Sequence, residues 1–252
     1  MPIVELTQEA LAILALAVAA ASFITSLTGM AGGVLMFAAM NIYIPVRALI
    51  PIHGVVQLFN NATRSFHLRQ DLRWSMVLPF SLGAIISATA TTIFIARYVG
   101  EFFPLLLIFL LTAYTLFRPV KAPPLKVSDK NFFWVGIATG SIGIIAGAID
   151  PILAIFFLRD DLRKEEIVAN KSMMQLVVHL TKIPAFIYLG FSFLDHAELL
   201  IILSLAGVVG GWVGVLALRK IQSKVFITLM KSALFISGAH ILYQLVEMVI
   251  QS

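Results

Sequence analysis

Eight long stretches of this chain are too apolar to stand in water: 9–28, 46–67, 74–96, 102–118, 131–148, 165–189, 197–218 and 225–250. Each comes close to the ~20 residues a helix needs to cross the hydrocarbon of a bilayer. That feature decides the class. Hydrophobic side chains make up 60% of the 252 residues and charged ones 12%, against ~45–50% and ~25% in soluble domains. A soluble sphere could not hide so much apolar surface, so a water-soluble enzyme, a disordered chain and a coiled coil are excluded. A membrane β-barrel would read as ~10-residue alternating segments, and these runs are unbroken. The chain reads as an all-α membrane protein.

The net charge of +5 fits the Lys and Arg that membrane proteins gather in cytoplasmic loops, and no nucleic-acid partner is expected. With no cysteine there is no disulfide, thiolate nucleophile or sulfur metal site. The first residues carry Glu5 and Glu9 but no Lys or Arg. A cleaved leader with a basic start is therefore not expected.

Two short apolar arms, 33–44 and 151–158, follow the first and fifth stretches after glycine-rich or proline breaks. The longest polar linker lies near the middle. The expected division is a repeat over 1–118, a cytoplasmic linker over 119–130 and a second repeat over 131–252. Sliding residues 25–64 by 118 positions pairs Gly29 with Gly147, Gln57 with Gln175, Thr63 with Thr181 and Arg64 with Lys182. Few positions are identical, but the matches are glycine, amide, hydroxyl and cation, which apolar drift does not supply.

Loop charge tests the topology. Eight simple crossings split the loop Lys and Arg about evenly, against the positive-inside rule. If each broken first stretch and its arm form a hairpin returning to the side it entered, 13 basic residues gather on one side. Arg47 and Arg97 then stand alone on the other. The two halves are then inverted, each a broken, re-entrant hairpin followed by three transmembrane helices, as in many secondary transporters. Both termini are expected on the non-cytoplasmic side of the cell (inner) membrane.

The first break reads Ser26-Leu-Thr28-Gly29-Met-Ala-Gly32-Gly33. Glycines let one helix end and another begin, and a helix N-terminus offers free N–H groups and partial positive charge to an anion. The bland alternative is that they let helices pack closely. The second break reads Gly147-Ala-Ile-Asp150-Pro151. Asp150 before a proline suits a helix cap, yet an ionisable group in a membrane segment is also a candidate proton carrier. The shift of 118 sets Gly32 opposite it.

Polar side chains recur every three or four residues in two stretches. His53, Gln57, Asn60 or Asn61 and Arg64 form one set, and Lys171, Gln175, His179 and Lys182 the other. That spacing puts each set on one helical face, which should meet protein or water rather than lipid. Arg64 and Lys182 lie near stretch ends and are expected to snorkel to the interface, while Lys171 is open between snorkelling and a site. The glutamines are either interhelical glue or part of a shared central site. Gly207, Gly210, Gly211 and Gly214, like Gly83, Ser87 and Thr91, read as helix-packing faces. His196 and His240 are isolated. No metal-ligand spacing, Walker A loop or dinucleotide fingerprint is present, so no cofactor or metal is expected.

At the two breaks the chain resembles the TauE/SafE family of sulfite and organosulfonate exporters. The resemblance rests on the glycine turn Gly29-Met-Ala-Gly32-Gly33-Val-Leu with its apolar arm, the stretch from Ala48 to His67, the basic loop Arg69-Gln-Asp71-Leu-Arg-Trp74 and the small-residue third helix of each half. Asp150 stands where glycine is usual in that pattern. The resemblance implies a sulfur-containing or small organic anion as substrate.

From the residues themselves the expectation is a secondary transporter, not an enzyme, for a small anion, working by alternating access. Thr28, Gly29, Gly32, Gly33, Gln57, Asn61, Gly147, Lys171 and Gln175 are the candidate substrate-binding residues. Asp150, His53 and His179 are the candidates for proton coupling. An anion channel, an intramembrane enzyme and a purely structural subunit are the alternatives. The partners expected are the anion and the lipid bilayer; the oligomeric state is open, a homodimer included.

Overall fold

The computed structural model describes residues 6–29, 32–96, 127–147, 149–157 and 161–222, with isolated positions in 106–113 and 225–250. The expected segment 102–118, most of 225–250 and the linker up to residue 126 lie outside the described residues, as do Met30, Ala31, Arg97 and His240.

The described residues fold into helices in a repeating order, long, short, long, long. The first set is α1 (Gln8–Thr28), α2 (Gly32–Asn41), α3 (Val46–His67) and α4 (Trp74–Phe94). The second is α5 (Phe132–Ala146), α6 (Asp150–Phe157), α7 (Lys164–Tyr188) and α8 (Ala197–Leu218). Among the described residues there is no strand. Thr7 caps α1, its hydroxyl accepting the Ala10 N–H at 3.2 Å. Glu166 closes the start of α7 by accepting the Arg163 N–H at 2.9 Å. Both α1 and α5 stop at a left-handed residue, Gly29 at φ 70° and Gly147 at φ 79°. Any other L-residue would be strained there.

α3 and α7 pack against each other at the centre. α1 lies along α8 and α4 along α5, while α3 also touches α8 and α7 touches α4. The two sets therefore exchange contacts reciprocally. Small residues make this possible. A Cβ on Gly210 would collide with the Ala19 carbonyl of α1, and one on Gly83 with the Phe133 carbonyl of α5. Two apolar cores flank the α3–α7 seam, one built by α1, α2, α3 and α8 with Phe186 of α7, the other by α4, α5, α6 and α7 with Val215 and Leu218 of α8.

α1, α4 and the helical stretch Leu194–Leu218 are long and apolar enough to cross a membrane. Their outer faces expose Leu16, Leu78, Phe94 and Leu205, side chains that suit lipid and not water. α3 and α7 have the length, but their polar stripes face inward.

Three loops meet at one end of the bundle. Arg163 pairs with Asp71 at 2.8 Å and Arg73 with Glu166 at 2.9 Å. Lys164 Nζ donates to the Leu218 carbonyl at 2.8 Å, and Arg219 Nη2 to that of His67 at 3.3 Å. The basic turns after α3, before α7 and after α8 thus share a face, which eight simple crossings would have split.

Candidate functional site

Each helix break presents a carbonyl end to a buried cation. Lys171 Nζ donates to the Gly29 carbonyl at 2.6 Å, and Lys182 Nζ to the Gly147 carbonyl at 2.5 Å. A cation at a helix C-terminus meets the negative end of the dipole and satisfies a carbonyl that the helix leaves orphaned. Both lysines are on α7, so one helix ties down the ends of α1 and α5.

The stripes on α3 and α7 face each other between these breaks. His53, Gln57, Asn60, Asn61 and Arg64 from α3, with Lys171, Gln175, His179 and Lys182 from α7, are all buried. The rings of His53 and His179 meet edge-on at 5.9 Å. His53 Nε2 lies 3.0 Å from the Gly33 carbonyl. On α3, Asn61 Nδ2 donates to the Gln57 carbonyl at 2.8 Å, Asn60 Nδ2 to Gln57 Oε1 at 3.3 Å, and Arg64 Nη2 to Asn61 Oδ1.

Asp150 stands at the first turn of α6, 2% exposed. Its Oδ1 accepts from Lys171 Nζ at 2.7 Å and from Gln175 Nε2 at 2.8 Å. Its hydrogen bonds among the described residues run to α7 and not to the backbone of α6.

Snorkelling, expected of Arg64 and Lys182, does not occur. Each is 1% exposed, because α3 and α7 are the central pair and their ends are sheathed by neighbouring helices. The stripe carried the signal, since Arg64 falls on the face of Gln57 and Lys182 on that of Gln175. Nearness to a stretch end outweighed it. Lys171, the open case, is buried as well, also at 1%.

The sequence candidates divide. Gly33, Gln57, Lys171 and Gln175 gather around Asp150, and Asn61 joins through Arg64. Gly29 and Gly147 take part through their carbonyls. Gly32 turns to α1, where a Cβ would collide with Thr25. The Thr28 hydroxyl donates to the Ile24 carbonyl of its own helix at 2.7 Å. Beyond the candidates, the α1–α3–α8 seam holds buried polar atoms without a partner among the described residues: the hydroxyls of Ser22 and Ser26, and Asn60 Oδ1 beside Gly211.

Charge decides the chemistry. Arg64, Lys171 and Lys182 are three buried basic side chains, and Asp150 is the one buried carboxylate among the described residues. Arg64 Nε and Nη1 have no hydrogen-bond partner among the described residues. A buried charge is costly unless paired, and a guanidinium cannot escape by losing its proton. The arrangement is short of negative charge and holds unused N–H donors.

The family model described as Sulfite exporter TauE/SafE matches residues 14–241. The chain belongs to the TauE/SafE family. The TauE/SafE match takes in both helix breaks, both stripes and every residue of the site above. It makes this chain a member of a membrane transporter family, in keeping with its apolar helices. Neither the curated proteins nor the solved structures contain a match to it.

Proposed function

We propose that the protein is a secondary transporter that exports or exchanges a small oxyanion, sulfite or a related sulfur oxyanion or organosulfonate, at a site between α3 and α7. The observation that carries this reading is that three buried basic side chains face one buried carboxylate, with Arg64 Nε and Nη1 left without a hydrogen-bond partner among the described residues. An oxyanion supplies the missing charge and accepts those donors. Arg64 offers it a planar fork, Lys171 and Lys182 point charges, and Gln57 and Gln175 neutral donors.

Alternating access by two inverted halves is the proposed mechanism, and residues 119–130 the cytoplasmic linker between them. Its support is the repeated helix order, the reciprocal packing of α1 on α8 and α4 on α5, and the basic loops gathered at one end. With those loops in the cytoplasm of a cell carrying this protein in its inner membrane, export moves negative charge out of a negative interior, which the membrane potential favours. Asp150, His53 and His179 are the groups proposed to move protons with the cycle.

A thermal-shift screen of the detergent-purified protein against sulfite, sulfate, thiosulfate, sulfoacetate and small carboxylates tests the reading. A bound anion at a hundredfold its Kd adds ~2.7 kcal/mol of stability. Stabilisation by sulfur oxyanions is expected, and indifference to every anion would end the proposal.

A further inference from the structure

Asp150 lies where a bound anion would lie. Its Oδ1 takes two donors set one turn apart on α7, Lys171 at 2.7 Å and Gln175 at 2.8 Å. Its Oδ2 is turned to the other half of the molecule. A Cβ placed on Gly33, at the start of α2, would collide with Oδ2 and would sit 2.8 Å from Gln57 Nε2. One carboxylate thus draws on α7 and abuts α2 and α3. The first half has nothing like it, since Gly32 holds the matching place. In α3, meanwhile, Arg64 Nε and Nη1 have no partner among the described residues.

A structural ion pair needs one basic partner, and here three basic side chains are buried. A helix cap would bond the backbone of α6, whereas among the described residues Asp150 bonds Lys171 and Gln175 of α7. We infer that Asp150 is a tethered stand-in for the transported anion. In the empty protein its carboxylate fills part of the oxyanion site; the incoming anion takes over Lys171 and Gln175, and the carboxylate gives way. The inference rests on the anion-transport reading above. Its physical reason is the cost of leaving buried cations with no anion at all. A resident carboxylate lowers that cost between substrates. It also makes each substrate displace a competitor, which weakens binding and speeds release.

Calorimetric titration of the purified full-length protein with sulfite, at one fixed pH, tests it. Asp150→Asn keeps the side chain's shape and removes its charge. The variant should bind sulfite about tenfold more tightly or better, a change of ~1.4 kcal/mol. Equal or weaker binding overturns the inference. Should the variant not be recovered folded, the wild type decides: its sulfite-induced infrared difference spectrum should contain a shifted carboxylate stretch, and a spectrum without one overturns the inference. Wild-type protein that binds no oxyanion would take the transport reading down as well. Sulfite binding that Asp150→Asn does not strengthen removes the stand-in alone.

Discussion

Lys182 and Gly147 are joined by a buried hydrogen bond, Nζ to carbonyl at 2.5 Å, which anchors the end of α5 to the middle of the molecule. Lys171 holds Gly29 in the same manner at 2.6 Å. Each break is therefore a junction where chain geometry and site charge depend on one another. Loosening the glycine moves the cation, and removing the cation frees the carbonyl.

Gly147 adopts a left-handed conformation in close quarters, whereas Gly190 does so with nothing nearby. A Cβ on Gly147 would stand 3.0 Å from Phe37 and 3.2 Å from Ile50, and one on Gly190 would meet nothing within 4 Å. Gly190→Ala should cost about 1–2 kcal/mol, the strain of a left-handed L-residue. Gly147→Ala should cost more, since packing adds to strain. Thermal unfolding in detergent ranks the two, and equal losses would mean that the break tolerates a side chain.

Lys171→Met leaves Asp150 buried and stripped of its cation. Breaking a buried pair from one side costs ~3–5 kcal/mol, but Arg64 and Lys182 remain to Asp150 in this variant. The double variant Lys171→Met/Asp150→Asn leaves those two basic side chains buried with no carboxylate, so it should be less stable than Lys171→Met alone. Unfolding midpoints of the three proteins check this, and a double variant more stable than the single one contradicts it.

Much of the fold was legible because apolar runs end where the backbone changes course. The segment 46–67 coincides with α3 and 197–218 with α8, while 9–28 starts one residue inside α1 and 165–189 is shifted by one residue from α7. Gly29 and Gly147 were legible as helix ends because glycine alone enters the left-handed region without strain. The burial of Arg64 and Lys182 was not, since snorkelling depends on what surrounds a helix end, and periodicity says nothing of neighbours. The Asp150 contacts join α6 to α7 across 21 and 25 residues, and spacing on one helix cannot reveal them. Nor could a serine in an apolar run announce that its hydroxyl has no partner among the described residues, as is so of Ser22 and Ser26.

Gln57 and Gln175 offer side-chain amides to the site. A hydrogen bond to a charged group contributes ~1.5–3 kcal/mol, so Gln57→Ala and Gln175→Ala should each weaken sulfite binding about tenfold or more. Cell-surface abundance should stay near that of the wild type. Lost protein with unchanged affinity would make them interhelical glue.

If Asp150 carries protons in the cycle, replacing it changes how transport responds to pH. The pH profile of sulfite flux in Asp150→Asn proteoliposomes should depart from that of the wild type. Superimposable profiles would leave His53 and His179 as the proton carriers.

Sulfite counterflow in proteoliposomes, with wild-type protein beside Arg64→Gln, tests the excess of buried positive charge most directly. The wild type should accumulate labelled sulfite against an unlabelled internal pool. With external sulfite held well below the wild-type Kd, Arg64→Gln, folded and inserted to the same level, should lose at least nine-tenths of that flux, in line with a loss of about 1.4 kcal/mol of anion binding or more. Undiminished counterflow through Arg64→Gln would contradict an oxyanion site between α3 and α7.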